Sequence, residues 1–444
     1  MKKIRNLPES QFLKLFFAFI TASFLIAAVC MPDRNAMFSG FWKILSSPCK
    51  ISTNYFAFGF SATFLNMGLV ALMCLGLYCL PGATANSTST LAFLLTIGFG
   101  SWGIHVLNVI PTMLGVLLYC LFKKEKPAAQ VNAMLFSTGI APLISELLLR
   151  YPGPSVGFTW YGTLLAIGIG LLIGFCLPAG LTHSPKVHKG FDLYSAALPI
   201  GMTAFFLQAA LYKSTGVPLP DAPNNFEVAS QLTVNLFCGI VFGFCVIFAL
   251  LLGCKPRDYW RLLICPDQVS DFTATYGNAV FLMNAGVFGF FILNYYNFIG
   301  ASFNGITFGI IFCMMASCNS GSHPGNVLSI ILGYALASLT FWGISHLTGS
   351  TFTGQLHAQA IVVGLCYATG LSPIPDHYSF PFGTLAGFMH YTLVTSVPTL
   401  HGGYCLYNGG FTAALVCIIL IPTLERFLLP KKERRLEKHR KAAH

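Results

Sequence analysis

The sequence predicts an all-α polytopic membrane protein built from two inverted-topology repeats, each with about five spanning helices plus a broken or re-entrant hairpin. Three observations predict it. Hydrophobic residues make up 55% of the 444 positions and charged residues only 9%, with a mean hydropathy of +0.70; an ordinary soluble domain carries about 25% charged residues. The chain also repeats itself: residues 41–115 match 259–333 without a gap, Trp42 falling on Trp260 and Asn108 on Asn326. Finally, Lys and Arg cluster at the ends of apolar runs, and they collect on one side only if each copy crosses an odd number of times. An odd count inverts the second copy relative to the first.

The first copy occupies residues 1–213, with apolar runs at 12–31, 58–80, 131–149, 158–180 and 193–212. A run of about 20 apolar residues suffices to cross a bilayer. The run at 12–31 follows a basic start like a signal peptide, yet 232–252 holds the same place before the second copy, so it reads as a retained helix. Residues 214–230 form the linker. The second copy covers 231–430, with runs at 231–252, 276–296, 357–372, 382–397 and 404–429, and a basic tail follows at 431–444.

One segment in each copy cannot be a simple span. Residues 90–122 as one helix would be about 50 Å long, against a hydrocarbon thickness of about 30 Å. The chain must turn at Gly98–Gly103, and in the second copy near Ala316–Gly321 and Pro324, where glycine frees the backbone and proline withholds an N–H. Both turns carry Gly-x-His-x-x-Asn: Gly103, His105 and Asn108, then Gly321, His323 and Asn326. A helix restarting at each His would put His and Asn on one face of its first turn, beside unpaired N–H groups. Broken helices at membrane depth line cavities, so these four polar side chains are the first candidates for solute or ion binding. Helix capping and cross-linking is the structural alternative.

Asn66-x-Gly68 and Asn284-x-Gly286 place an amide in the middle of two apolar runs, where it can bind a polar solute or serve packing. Gly82–Asn86 and Gly300–Asn304 read as turns. Thr138-Gly139-x-x-Pro142 and Thr369-Gly370-x-x-Pro373 should interrupt helices, as gating or cation-coordinating elements or as kinks. Glu146 and Arg150 are spaced for a surface ion pair at a helix end, and Asp376-His377 reads as a loop. A third repeated block sets His188 and His401 in loops followed by aromatic-Leu-Tyr, either at a gate or as an interfacial tyrosine belt.

Enzyme signatures are missing: no H-E-x-x-H, G-x-S-x-G or Walker loop is present. The 15 cysteines include no C-x-x-C pair, and no metal site or cofactor is expected. The net charge of +11 is concentrated at Lys2–Arg5, Lys123–Lys126 and the tail, which anchors to anionic lipid rather than to nucleic acid.

The blocks Lys189-Gly-Phe-Asp-Leu-Tyr194 and Gly402-Gly-Tyr-Cys-Leu-Tyr-Asn-Gly-Gly-Phe411, with the twofold Gly-x-His-x-x-Asn, resemble a bacterial family of duplicated multi-pass membrane proteins of unknown function. Tyr407-Asn408-Gly409-Gly410 also resembles a short stretch of the urea transporters, which have inverted halves. The resulting expectation is a secondary transporter for a small polar or anionic solute, proton- or sodium-coupled, in the cell membrane with both termini cytoplasmic. A passive channel for a neutral solute such as urea is the alternative, and an intramembrane enzyme or scaffold a third. A homo-oligomer is compatible with each.

Overall fold

The computed structural model describes residues 2–221, 223, 225–264, 271–429 and 433. The basic tail expected at 431–444 lies outside the described residues apart from Glu433. The described residues are predominantly helical, with α1 Glu9–Cys30, α2 Phe60–Tyr78, α3 Ser87–Phe99, α4 Ile110–Lys123, α5 Pro127–Leu149, α6 Trp160–Val187 and α7 Ala197–Gln208 in the first half. The second half has α8 Gln231–Leu251, α9 Asn278–Phe298, α10 Gly305–Met315, α11 Pro324–Thr348, α12 Gln359–Leu365, α13 Pro373–His377, α14 Phe380–Leu393 and α15 Asn408–Phe427. Among the described residues, 8 helices are long and apolar enough to cross a membrane.

The packing repeats with the sequence. α1 lies along α2 as α8 lies along α9, and α4 along α6 as α11 along α14. The same hydrogen bonds recur at a constant separation. Asn66 Nδ2 donates to the carbonyls of Gly100 and Ile104, both at 2.7 Å. Asn284 Nδ2 donates to those of Cys318 and Ser322, at 2.8 and 3.0 Å. Asn86 and Asn304, read as turn residues, cap α3 and α10 by accepting from the backbone N–H of Ser89 and Thr307.

The halves run antiparallel. The N-terminal end of α1 touches the segment after α2, through Lys14 to the Ala83 carbonyl and Ser10 to the Ala85 N–H. The start of α2 therefore lies at the other face, where the Ser61 N–H reaches Asp33 beyond α1. In the copy, Asn278 at the start of α9 donates to the carbonyls of Arg5 and Leu7, at the α1 N-terminal face. So α2 and α9, equivalent in sequence, point opposite ways.

One continuous core holds the halves together. Phe24 and Phe64 of the first half pack on Phe237 and Phe308 of the second, with ring centroids 4.9–6.2 Å apart. Aromatic rings bury large apolar areas, so these rings join the two halves in one apolar layer. At the centre α3 and α10 cross, and Cys313 Sγ meets the carbonyl of its counterpart Leu95 at 3.7 Å. Their 13 and 11 residues give about 15–20 Å of helix, shorter than the hydrocarbon is thick.

The hairpins differ in their second limb. The first restarts at Ile110, not near His105, whereas the second restarts at His323 as expected and runs 25 residues. Proline sets the start: Pro111 and Pro324 each occupy the first turn, where a missing N–H costs nothing.

Candidate functional site

Each Gly-x-His-x-x-Asn forms a closed clasp. The His105 N–H donates to Asn108 Oδ1 and the His323 N–H to Asn326 Oδ1, both at 3.0 Å. The two Asn Nδ2 groups donate to the carbonyls of Gly103 and Gly321, at 3.0 and 2.8 Å. His105 Nε2 and Asn108 Nδ2 also meet Ser145 Oγ, at 3.2 and 3.0 Å. At the matching position of the second half stands Asp376, whose Oδ2 accepts from Asn326 Nδ2 at 2.8 Å. Asp376 thus belongs to a short helix, α13, and not to a loop.

The two clasps do not converge on one cavity. The first turn lies under residues 49–55 and beside α10, where Ser101 O accepts the Tyr55 N–H and Asn54 Oδ1 the Gly305 N–H. The second lies at the opposite face, where Asn319 Oδ1 accepts the Thr273 N–H and Ser320 donates to the Ser87 carbonyl. Antiparallel halves send their hairpin turns to opposite faces. Asn66 and Asn284 bind these same turns, so all six predicted binding residues hold backbone in place.

The breaks at Thr138-Gly139-x-x-Pro142 and Thr369-Gly370-x-x-Pro373 are present as 3-10 turns, Ser137–Ile140 and Ala368–Leu371. Each is met by the third block of the other half. The Leu406 N–H donates to Gly139 O at 2.8 Å, and the Leu193 N–H to Gly370 O at 3.1 Å. Tyr407 lies on Gly139 and Tyr194 on Gly370, where a Cβ would come within 2.9 and 2.4 Å of the rings. Tyr194 Oη pairs with Thr369 Oγ1 at 2.7 Å. These tyrosines are buried at the centre, not in an interfacial belt: Tyr367 sits 4.8 Å from Tyr194 and 5.8 Å from Tyr407 between ring centroids. His188 and His401 are 1% exposed behind these loops, where burial pushes both imidazoles down to about 4 and keeps them neutral.

Glu146 and Arg150 do pair, but not at the surface. Glu146 is wholly buried and accepts two bonds, at 2.8 and 2.7 Å, from an Arg150 side chain 16% exposed. α5 is an interior span, so its end is covered. Lys50, whose Nζ donates to the Pro220 carbonyl in the linker, sits over the Tyr404 ring at 5.0 Å.

A cavity of about 440 Å³ lies in the first half, at its border with the second. Ser87, Asn132, Asp192 and Ser195 of the first half line it, with Ser320 of the second. Asp192, in the connection between α6 and α7, is 1% exposed; its Oδ1 accepts the Tyr194 N–H at 2.9 Å and its Oδ2 has no partner. Sequence reasoning missed Asp192 because its counterpart in the second half is Cys405, and matching copies selects what they share. The signal was a carboxylate inside the repeated block of an otherwise apolar chain. Among the described residues no cluster of His, Cys, Asp and Glu could hold a metal ion.

A family model described as Protein of unknown function (DUF1576) matches the chain twice, over residues 33–213 and 256–426. The chain belongs to that family. Two matches fit the internal duplication, and the DUF1576 unit therefore corresponds to one half of this fold. Each DUF1576 unit spans α2 to α7 or α9 to α15, with the hairpin, the break and the third block inside it. No curated protein and no solved structure matches the chain.

Proposed function

We propose that this protein is a secondary transporter of a small polar or anionic solute, which binds in the cavity at the border of the two halves. The observation that carries this reading is the cavity itself, built by the first half and bordered by Ser320 of the second, where hydroxyls, amides and a buried carboxylate interrupt a partly apolar lining. Inverted halves around a shared site are the architecture of carriers that expose one site to each face in turn. The reciprocal docking of each third block onto the other half's broken helix supplies two equivalent seams along which the halves can rock. The packed rings of Phe99, Tyr194, Tyr367 and Tyr407 at the centre favour a gated carrier over an open channel.

In this reading the protein sits in the cell membrane with both termini cytoplasmic, supported by the Lys and Arg clusters at 2–5 and 123–126 on one face. The basic tail adds attraction to anionic lipid. No catalytic role is assigned. The test is purified protein in liposomes, offered small amides, mono- and dicarboxylates and inorganic anions under imposed proton and sodium gradients. Saturable uptake of one class is expected. Monodisperse protein that moves none of them would remove the proposal.

A further inference from the structure

Asp192 is costly where it stands. A buried carboxylate without a cation or a full set of donors is paid for elsewhere in the fold, and no described Lys, Arg or His forms an ion pair with it. Its oxygens receive one hydrogen bond, from the Tyr194 N–H. The groups around it supply no charge. His188 Nδ1, on the same connection, accepts the Asp192 N–H at 3.3 Å; Cys417 of α15 is within electrostatic reach; the Tyr194 hydroxyl is engaged by Thr369. Lys189 and Glu425 are both partly exposed and paired with each other.

The second half shows that the fold does not need this carboxylate. The matching connection holds Cys405 in place of Asp192, yet it docks in the same way, through Leu406 to Gly139 where the first half uses Leu193 to Gly370. A neutral residue thus does the structural work. What adjoins the connection in the first half is a cavity lined in part by Ser87, Asn132 and Ser195.

Resting on the transport reading above, we propose that Asp192 is the proton-binding site of this carrier, and that its protonation state is coupled to occupancy of the interface cavity. The carboxylate takes one proton from the aqueous face on which the cavity opens. The site goes from one negative charge to none, and Oδ2 gains an O–H that can donate to a carbonyl or carboxylate oxygen of the solute. The proton leaves to the other face once the solute has gone. Burial lifts the Asp192 carboxyl from the usual carboxylate range to about 7, so both forms are populated near neutral pH. The substrate class follows: an acceptor-bearing small anion, which enters with a proton as a charge-balanced pair, or a neutral acceptor-bearing solute, whose entry with the proton moves one positive charge.

The test uses the proton as its probe. In a Glu9→Gln background, which removes the other described carboxyl with a buried unpartnered oxygen, infrared difference spectra of the reconstituted protein should show a protonated carboxyl titrating near neutral pH, absent once Asp192→Asn is added, which keeps the Oδ1 acceptor. A pH jump on a supported membrane should move charge in the wild type, at least tenfold less in Asp192→Asn and unchanged in Glu425→Gln. Asp192→Glu should restore a titrating carboxyl. A carboxyl signal and charge movement that persist in monodisperse Asp192→Asn overturn the proposal, and solute flux persisting with them leaves the transport reading standing. Loss of both signals in that variant, with no solute moved by the wild type, supports the proton site and removes the transport reading.

Discussion

At the scale of single residues, three side chains carry separable predictions. A carboxyl held near 7 when folded, against about 4 when unfolded, makes the folded state less stable as pH rises from about 4, with the full loss reached above about 7. Asp192→Asn removes that penalty. Its melting temperature should exceed the wild type's at pH 8 by an amount corresponding to about 2–4 kcal/mol, and the gap should shrink at pH 5. A gap that does not change with pH would count against the buried charge. Asn66 and Asn284 each donate two bonds to a hairpin turn, so each Asn→Ala variant should lose about 1–3 kcal/mol in thermal unfolding, and the two losses should be alike. Arg150→Met strands the buried Glu146 charge and should cost about 3–5 kcal/mol, most of it recovered in Arg150→Met with Glu146→Leu.

At the scale of elements, the crossing of α3 and α10 leaves no room for a side chain. A Cβ on Gly309 would lie 2.1 Å from the Gly98 carbonyl oxygen and 2.3 Å from Ser101 Oγ, so the backbones touch only because a side chain is missing. Gly309→Ala should destabilise by about 1–3 kcal/mol, while Gly243→Ala, where a Cβ meets nothing within 4 Å, should leave unfolding unchanged. The elements themselves were largely legible in the sequence, because hydropathy marks spans and prolines mark breaks: Pro324 predicts where α11 starts, and Pro142 and Pro373 flag the 3-10 turns. The short α14 was not legible, since an apolar run does not reveal where a neighbouring element lets a helix stop; α4 ends where its apolar run does but starts at Ile110, later than the expected restart near His105. Repeat matching found the residues that build both halves alike, and those proved to be clasps such as Asn108 and Asn326. The candidate proton site lies where the copies differ, at Asp192 and Cys405, and symmetry in the sequence hides it.

At the scale of the whole molecule, inversion is the property on which alternating exposure of one cavity depends, and it can be checked without knowing the solute. Thr84 and Ser302 are equivalent in the two copies and both exposed. Thr84 follows α2 beside the start of α1, next to Ala83 and Ala85, which bind Lys14 and Ser10. Ser302 follows α9 beside the linker, next to Phe303, whose carbonyl accepts the Ser230 N–H. If α2 and α9 cross in opposite senses, the two positions face opposite compartments. In a background lacking Cys265 and the three cysteines exposed among the described residues, Cys30, Cys79 and Cys176, an impermeant maleimide added to intact cells should label Ser302→Cys and leave Thr84→Cys untouched until the cells are opened. The reverse pattern would turn the protein over in the membrane while preserving inversion. Labelling of both from one side would make the halves parallel, and the cavity could not then be presented to each face by equivalent motions of the two halves.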